Sequence, residues 1–275
     1  MIECEMMSLN FKRAKVKVGV YKNKIKNKKD ILFLHGLGSS TLNTSGKILA
    51  KMPQNRIIGI DWLGHGETTK LFRKQDTYNA YYMSDYLDEV LKNLIKRKYL
   101  TKNFSIVANS MSAIPIAYLY PKYKNKFKKI IFINPAGLDK KMGYIFAFFS
   151  RNITRSSFWP WFFSFWILNN KARKNLRKNL RIRNWRIIVS KYAISSYNFP
   201  GNMKKICYVP EKFEKIKCPV LLICGRKDSI FTKREYLNFA KNHSWKVSVK
   251  RKEEHSLGTG NSGTEAEEIR EFFKL

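Results

Sequence analysis

Five short apolar runs constrain this chain more than any other feature: ILFL after Asp30, RIIGIDW from Arg56, FSIVANS from Phe104, KIIFINPAG from Lys129 and PVLLICG from Pro219. A strand that is apolar at successive positions, and not only at alternate ones, must be covered on both faces. That is the situation of a central strand in a parallel sheet. Helical patterns fall between the runs. Tyr78 to Arg97 sets Tyr82, Tyr86, Val90 and Leu94 at four-residue spacing, one buried stripe with polar residues opposite. Met111 to Tyr120 follows the third run, Lys233 to Asn242 follows the fifth, and Thr264 to Phe273 comes after a short strand, KVSVKRK. The alternation in Phe11 and KVKVGVYKN adds one or two edge strands. Strand and helix alternating in this way predict an α/β fold, a doubly wound, mostly parallel sheet.

One stretch breaks the rhythm. Residues 138–205 hold a cluster of aromatics and then KARKNLRKNLRIRNWR, where the repeated RKNL puts Leu176 and Leu180 on one helical face. The stretch lies between the fourth and fifth sheet strands, the position of an inserted helical cap. The expected organisation is therefore a core of residues 1–137 and 206–275 with a cap, or lid, subdomain at 138–205. A chain of 275 residues is long enough for this, and its 44% hydrophobic content fills a core and excludes global disorder.

Several classes are set aside by what the sequence lacks. MIECEMMSLNFKRAKV has no apolar h-region, so it reads as neither a signal nor a transit peptide. The longest charge-free apolar stretch, Ser156 to Asn170, is broken by Pro160 and falls short of the roughly 20 residues of a membrane span. No transmembrane helix is expected, and the expected location is cytoplasmic. Cys4, Cys207, Cys218 and Cys224 form no Cys-X-X-Cys pair and no Cys/His cluster with zinc-ligand spacing, so they read as reduced, mostly buried thiols with no metal. The net charge of +34 attracts anions of every kind. Lys, Asn and Ile are dense along the whole chain, however, so the charge reads first as a compositional bias. Nucleic acid is not the expected partner.

FSIVANSMSA runs a strand into a tight turn and a helix, with Ser110 at the apex. A serine hydroxyl becomes a nucleophile only with a base to take its proton, an acid to orient that base, and N–H donors for the developing oxyanion. Of the four histidines, His35 and His65 are wedged beside glycines in HGLG and GHG, where a loop role fits. His243 ends a predicted helix, as a capping cation does. His255 alone follows the last strand with a helix still to come. Asp228 stands on the loop after the fifth run, where it reads equally as the acid or as a turn or N-cap residue for the next helix. Backbone donors would come from Met111, after the serine, and from Leu37 in the glycine loop.

HGLG at 35–38, DWLGHGET at 61–68, ANSMSA at 108–113, GRKD at 225–228 and His255 resemble, in this order, the motifs of α/β-hydrolase fold serine hydrolases. The resemblance is to the esterase and monoacylglycerol lipase-like group with an HGxG oxyanion loop, and it covers nearly the whole chain outside the cap. It implies a triad in the chain order Ser110, Asp228, His255, an oxyanion hole from the Leu37 and Met111 N–H groups, and no metal or organic cofactor. Phe158, Trp159, Trp161, Phe162 and Trp166 would wall the substrate pocket or pack the cap onto the core. As a pocket wall they favour an apolar ester, lipid or monoacylglycerol-like. The basic segment from Lys171 to Arg186, with Trp159, Trp161, Trp166 and Trp185, suits peripheral contact with an anionic membrane or a solvated helix. Ala108 and Ser112 stand where the usual pattern has glycine, and both are small. Ser110 argues against the members with an aspartate nucleophile, such as dehalogenases. A carbon-carbon bond hydrolase and an acyltransferase of the same fold remain open, as does a catalytically silent basic protein binding membrane or nucleic acid. Acyl length and oligomeric state are not fixed by any of these features.

Overall fold

The computed structural model describes residues 2–23, 25, 30–36, 39–42, 52, 56–68, 80–140, 208–226, 228, 233–250 and 262–273. In chain order they form β1 (Ile2–Phe11), β2 (Ala14–Asn23), β3 (Asp30–Leu34), β4 (Arg56–Ile60), α1 (Ala80–Lys96), β5 (Phe104–Asn109), a 3-10 turn (Ser110–Ser112) and α2 (Ala113–Tyr123). There follow β6 (Phe127–Ile133), α3 (Pro210–Phe213), β7 (Val220–Gly225), α4 (Lys233–Asn242), β8 (Lys246–Lys250) and α5 (Ser262–Phe273). The eight strands make one sheet in the order β1-β2-β4-β3-β5-β6-β7-β8. β1 and β2 form an antiparallel hairpin, β2 runs antiparallel to β4, and every pairing from β4 across to β8 is parallel.

The apolar runs are explained by what covers each face. Leu32, Leu34, Ile58, Ile60, Ile106, Ile130, Phe132 and Leu222 face a core that includes Tyr82, Tyr86, Val90 and Leu94 of α1, each 5% exposed or less. Their alternate neighbours Ile31, Phe33, Ile57, Val107, Ile131, Ile133 and Ile223 face a second core with Ala266, Ile269 and Phe273 of α5. Successive side chains of a strand point to opposite faces, so two covered faces demand an unbroken apolar run. Burial on both faces stabilises these strands by about 25 cal/mol for each Å2 of apolar surface removed from water.

The edge hairpin is longer than the sequence pattern indicates. Strand β1 begins at Ile2, although Cys4, Glu5 and Met6 are exposed and only Met7, Leu9 and Phe11 carry the alternating buried signal. Pairing with β2, in register from Ile2 opposite Asn23 to Phe11 opposite Ala14, holds the rest. Cys4 is accordingly exposed, whereas Cys218 is half-buried and Cys224 buried, and all three are free thiols. Cys207 lies outside the described residues. So does the expected cap beyond Lys140, including Phe158, Trp159, Trp161, Phe162 and Trp166. On the core, Gly137 bridges Tyr208, and the Val209 N–H donates to the Gly137 carbonyl at 2.8 Å.

Candidate active site

Ile60, Leu34 and Ala108 are level in the sheet, and so are Asn109, Ile133 and Ile223. The chain therefore leaves five parallel strands along one edge, the carboxyl edge, where open α/β sheets bind their ligands. Neighbouring exits are stitched together. The Asn109 side-chain amide donates to the Ile133 carbonyl at 3.2 Å, and Asn134 Oδ1 accepts the Gly225 N–H at 2.9 Å.

Ser110 sits at the apex of this edge with φ +51°, a left-handed conformation that non-glycine residues rarely adopt. Such a residue costs about 1–3 kcal/mol and persists only where its surroundings hold it. Here Asn109 ends β5 in extended conformation, the Ala113 N–H caps back to the Ser110 and Met111 carbonyls, and the Ala136 N–H donates to the Ser110 carbonyl at 2.9 Å. Ser110 and Met111 are half-buried, while Ala108 and Ser112 on either side are fully buried. The two departures from glycine thus fit without opening the turn. Facing the apex is Gly36: a Cβ there would meet Asn109 Oδ1 at 2.8 Å and Ser110 Cβ at 3.1 Å, so only glycine lets the HG loop approach this closely.

Beneath the HG loop, the DWLGHGET segment forms a buried polar hub that the sequence reading did not identify. Asp61, 0% exposed, accepts the Thr41 N–H at 2.8 Å, the Tyr21 hydroxyl at 2.7 Å and the Glu67 N–H at 3.0 Å. Burial pushes its carboxyl above the usual range, and these donors oppose the rise. Gly66 has φ +49°, and a Cβ there would stand 1.9 Å from the Asp61 carboxylate, so the glycine is what lets the loop wrap the acid. His35 and His65 are both fully buried, with ring centroids 5.3 Å apart. Burial lowers them to about 4 and about 3, so both rings are neutral at pH 7. His35 Nε2 lies 3.5 Å from Asp61, yet a ring this depressed makes no ion pair there. Its Nε2 instead accepts the Trp62 N–H at 3.2 Å, which puts the ring proton on Nδ1, donating to the Gly36 carbonyl at 2.8 Å. The loop role read for both histidines from their glycine neighbours agrees with this arrangement. His243 Nδ1–H donates to the Phe239 carbonyl at 2.8 Å, and the ring stacks on that of Phe239.

Asp228 follows β7 on the same edge. Its N–H donates to the Gly225 carbonyl at 3.3 Å and it is half-buried. It lies close enough to Tyr236 that, after burial, its charge raises the phenol furthest. The Tyr236 hydroxyl donates to the Pro135 carbonyl at 2.6 Å, which ties α4 to the loop after β6. The Cys224 thiol nearby is pushed up to about 11, chiefly by burial, and is unreactive for that reason. His255 and Leu37 lie outside the described residues. Among the described residues no group of His, Cys, Asp and Glu could hold a metal ion, and no helix is long and apolar enough to cross a membrane.

The model of the alpha/beta hydrolase fold family matches residues 30–258. Among curated proteins, Probable lysophospholipase BODYGUARD 2 of Arabidopsis thaliana is 26% identical over 151 residues, which cover 53% of this chain and 31% of that protein. The match thus spans about a third of that relative. Among solved structures, an esterase from Thermogutta terrifontis superposes with a TM-score of 0.73 at 15% identity, covering 99% of this chain and 98% of that one. A haloalkane dehalogenase variant from Bradyrhizobium elkanii superposes with a TM-score of 0.75 at 13% identity, covering 100% and 97%. A membrane phospholipase A does so with a TM-score of 0.70 at 13% identity, covering 98% and 86%. With the strand order, the level strand ends and the turn at Ser110 already in place, the family match over residues 30–258 completes the assignment: this chain belongs to the alpha/beta hydrolase fold family.

Proposed function

We propose that the chain is a serine hydrolase that cleaves a hydrophobic carboxylic ester through an acyl-enzyme. The observation that carries this reading is Ser110, held at φ +51° between β5 and α2 and facing Gly36 of the HG loop. In this reading Ser110 Oγ adds to the ester carbonyl as His255 takes its proton, Asp228 orients the imidazole, and the Met111 and Leu37 N–H groups receive the oxyanion. His255 then protonates the departing alcohol, and water, activated by the same base, releases the acid. The fold alone leaves the reaction open, since a haloalkane dehalogenase shares it. A serine at the apex turns the reading to acyl transfer, because dehalogenase chemistry in this fold uses an aspartate there.

The esterase and the lysophospholipase among the similar proteins support an ester substrate with a lipid-like acyl group. The sequence adds that no acidic residue stands between Asp139 and Glu211, where basic and aromatic residues abound. Such a segment suits substrate drawn from an anionic lipid surface. A series of p-nitrophenyl esters from acetyl to dodecanoyl tests the substrate class. Each methylene buried in an apolar pocket contributes about 0.8 kcal/mol, so kcat/KM should rise by about fourfold per methylene until the pocket is filled. A steady fall beyond acetyl would refute the hydrophobic acyl site. Inertness toward every ester with cleavage of a diketone would favour the carbon-carbon hydrolase, and diversion of the acyl group to added glycerol the acyltransferase.

A further inference from the structure

We propose that Ser112 is a positioning residue for the oxyanion loop, acting together with Trp62 on the carbonyl of His35. The inference rests on the serine-hydrolase reading above and adds a residue that the usual glycine at this position could not supply. Ser112 is 0% exposed, the last residue of the turn that carries Ser110 and the N-cap position of α2. Its hydroxyl donates to the His35 carbonyl and accepts the Trp62 Nε1–H at 2.9 Å. The same indole N–H reaches the His35 carbonyl at 2.9 Å, so indole, hydroxyl and carbonyl close a three-membered hydrogen-bond triangle. Trp62 is itself fully buried, and its backbone N–H holds His35 Nε2.

The consequence follows from peptide geometry. A trans peptide is planar, with its C=O and N–H opposed. The triangle fixes the His35 carbonyl and with it the plane that carries the Gly36 N–H. The His35 ring, locked with its proton on Nδ1, holds the Gly36 carbonyl as well, so the loop is fixed at both of these carbonyls. An oxyanion donor is effective only if its direction is set before the charge develops. Ser112 therefore links the turn holding the nucleophile to the loop offering the donor through one side chain, where a glycine would leave them in contact only.

The test compares Ser112→Ala with wild type on p-nitrophenyl butyrate, with rates expressed per Ser110 titrated by a fluorophosphonate so that unfolded protein does not count. Losing one buried hydrogen bond should lower kcat about tenfold, short of the 10²–10³-fold cost of removing a donor outright, with KM within about twofold. Affinity for a trifluoromethyl ketone, whose adduct places an oxyanion in the same donors, should fall by the same factor. A role confined to folding would leave both quantities unchanged per active site. Should Ser112→Ala not be recovered folded, Ser112→Gly should show the same paired loss. A kcat within twofold of wild type, or a fall in kcat without the matching fall in inhibitor affinity, overturns the assignment while the hydrolase reading stands. Wild-type protein without ester turnover overturns both.

Discussion

Ser110→Ala should lose about 10⁴-fold or more in kcat on a short p-nitrophenyl ester, and His255→Ala should fall to the same floor. The two are equally damaging because neither group works alone: the hydroxyl without a base is a weak nucleophile, and the base without it has no proton to take. The folded state should survive Ser110→Ala. Alanine tolerates φ +51° about as poorly as serine, and the bonds that hold the turn, from Ala113 and Ala136 to the Ser110 carbonyl, are all backbone. Near-wild-type activity in His255→Ala would mean that another group is the base. His35 and His65 are poor substitutes, because both are fully buried, burial holds them neutral, and each ring Nδ1 is engaged with a loop carbonyl.

Acid should destabilise the protein well above the carboxylate range. His35 and His65 are depressed to about 4 and about 3 in the folded state, against about 6.5 in the unfolded chain. Below pH 6.5 the unfolded state therefore binds more protons than the folded state, and stability falls as pH falls. The groups facing the pair are each other and Asp61, and Asp61 acts with the opposite sign: its raised carboxyl takes a proton in the folded state first. The net slope is one to two protons, about 1.4–2.7 kcal/mol per pH unit. Against a typical stability of about 5–15 kcal/mol, urea midpoints should drop steeply between pH 6.5 and 4.5. A flat midpoint over that window would mean that the two rings reach water or share a proton.

The sheet was legible because its physics is local. An apolar run needs two covered faces, and Leu32 beside Phe33 or Ile106 beside Val107 announces both. The α1 stripe of Tyr82, Tyr86, Val90 and Leu94 was equally plain, since helical spacing puts all four on one face. The first half of β1 was hidden, because Cys4 to Met6 are exposed and are fixed by pairing with β2, not by their own pattern. At the site, the order of the motifs pointed to Ser110 and Asp228 at the carboxyl edge. The work of Asp61, Trp62 and Ser112 was not legible, because their partners are 20, 27 and 77 residues away and are mostly backbone groups that no sequence pattern marks. Ser112 in particular read as a tolerated replacement for glycine, whereas its hydroxyl is fully engaged.

Whether Ser110 is the nucleophile is read from the intact mass of the folded protein after a fluorophosphonate, followed by mapping of the modified peptide. One phosphonyl group per chain is expected, on Ser110 in the segment FSIVANSMSA, and no labelling of folded Ser110→Ala. Folded wild-type protein that takes up no label, or a label mapped to any other residue, would contradict it.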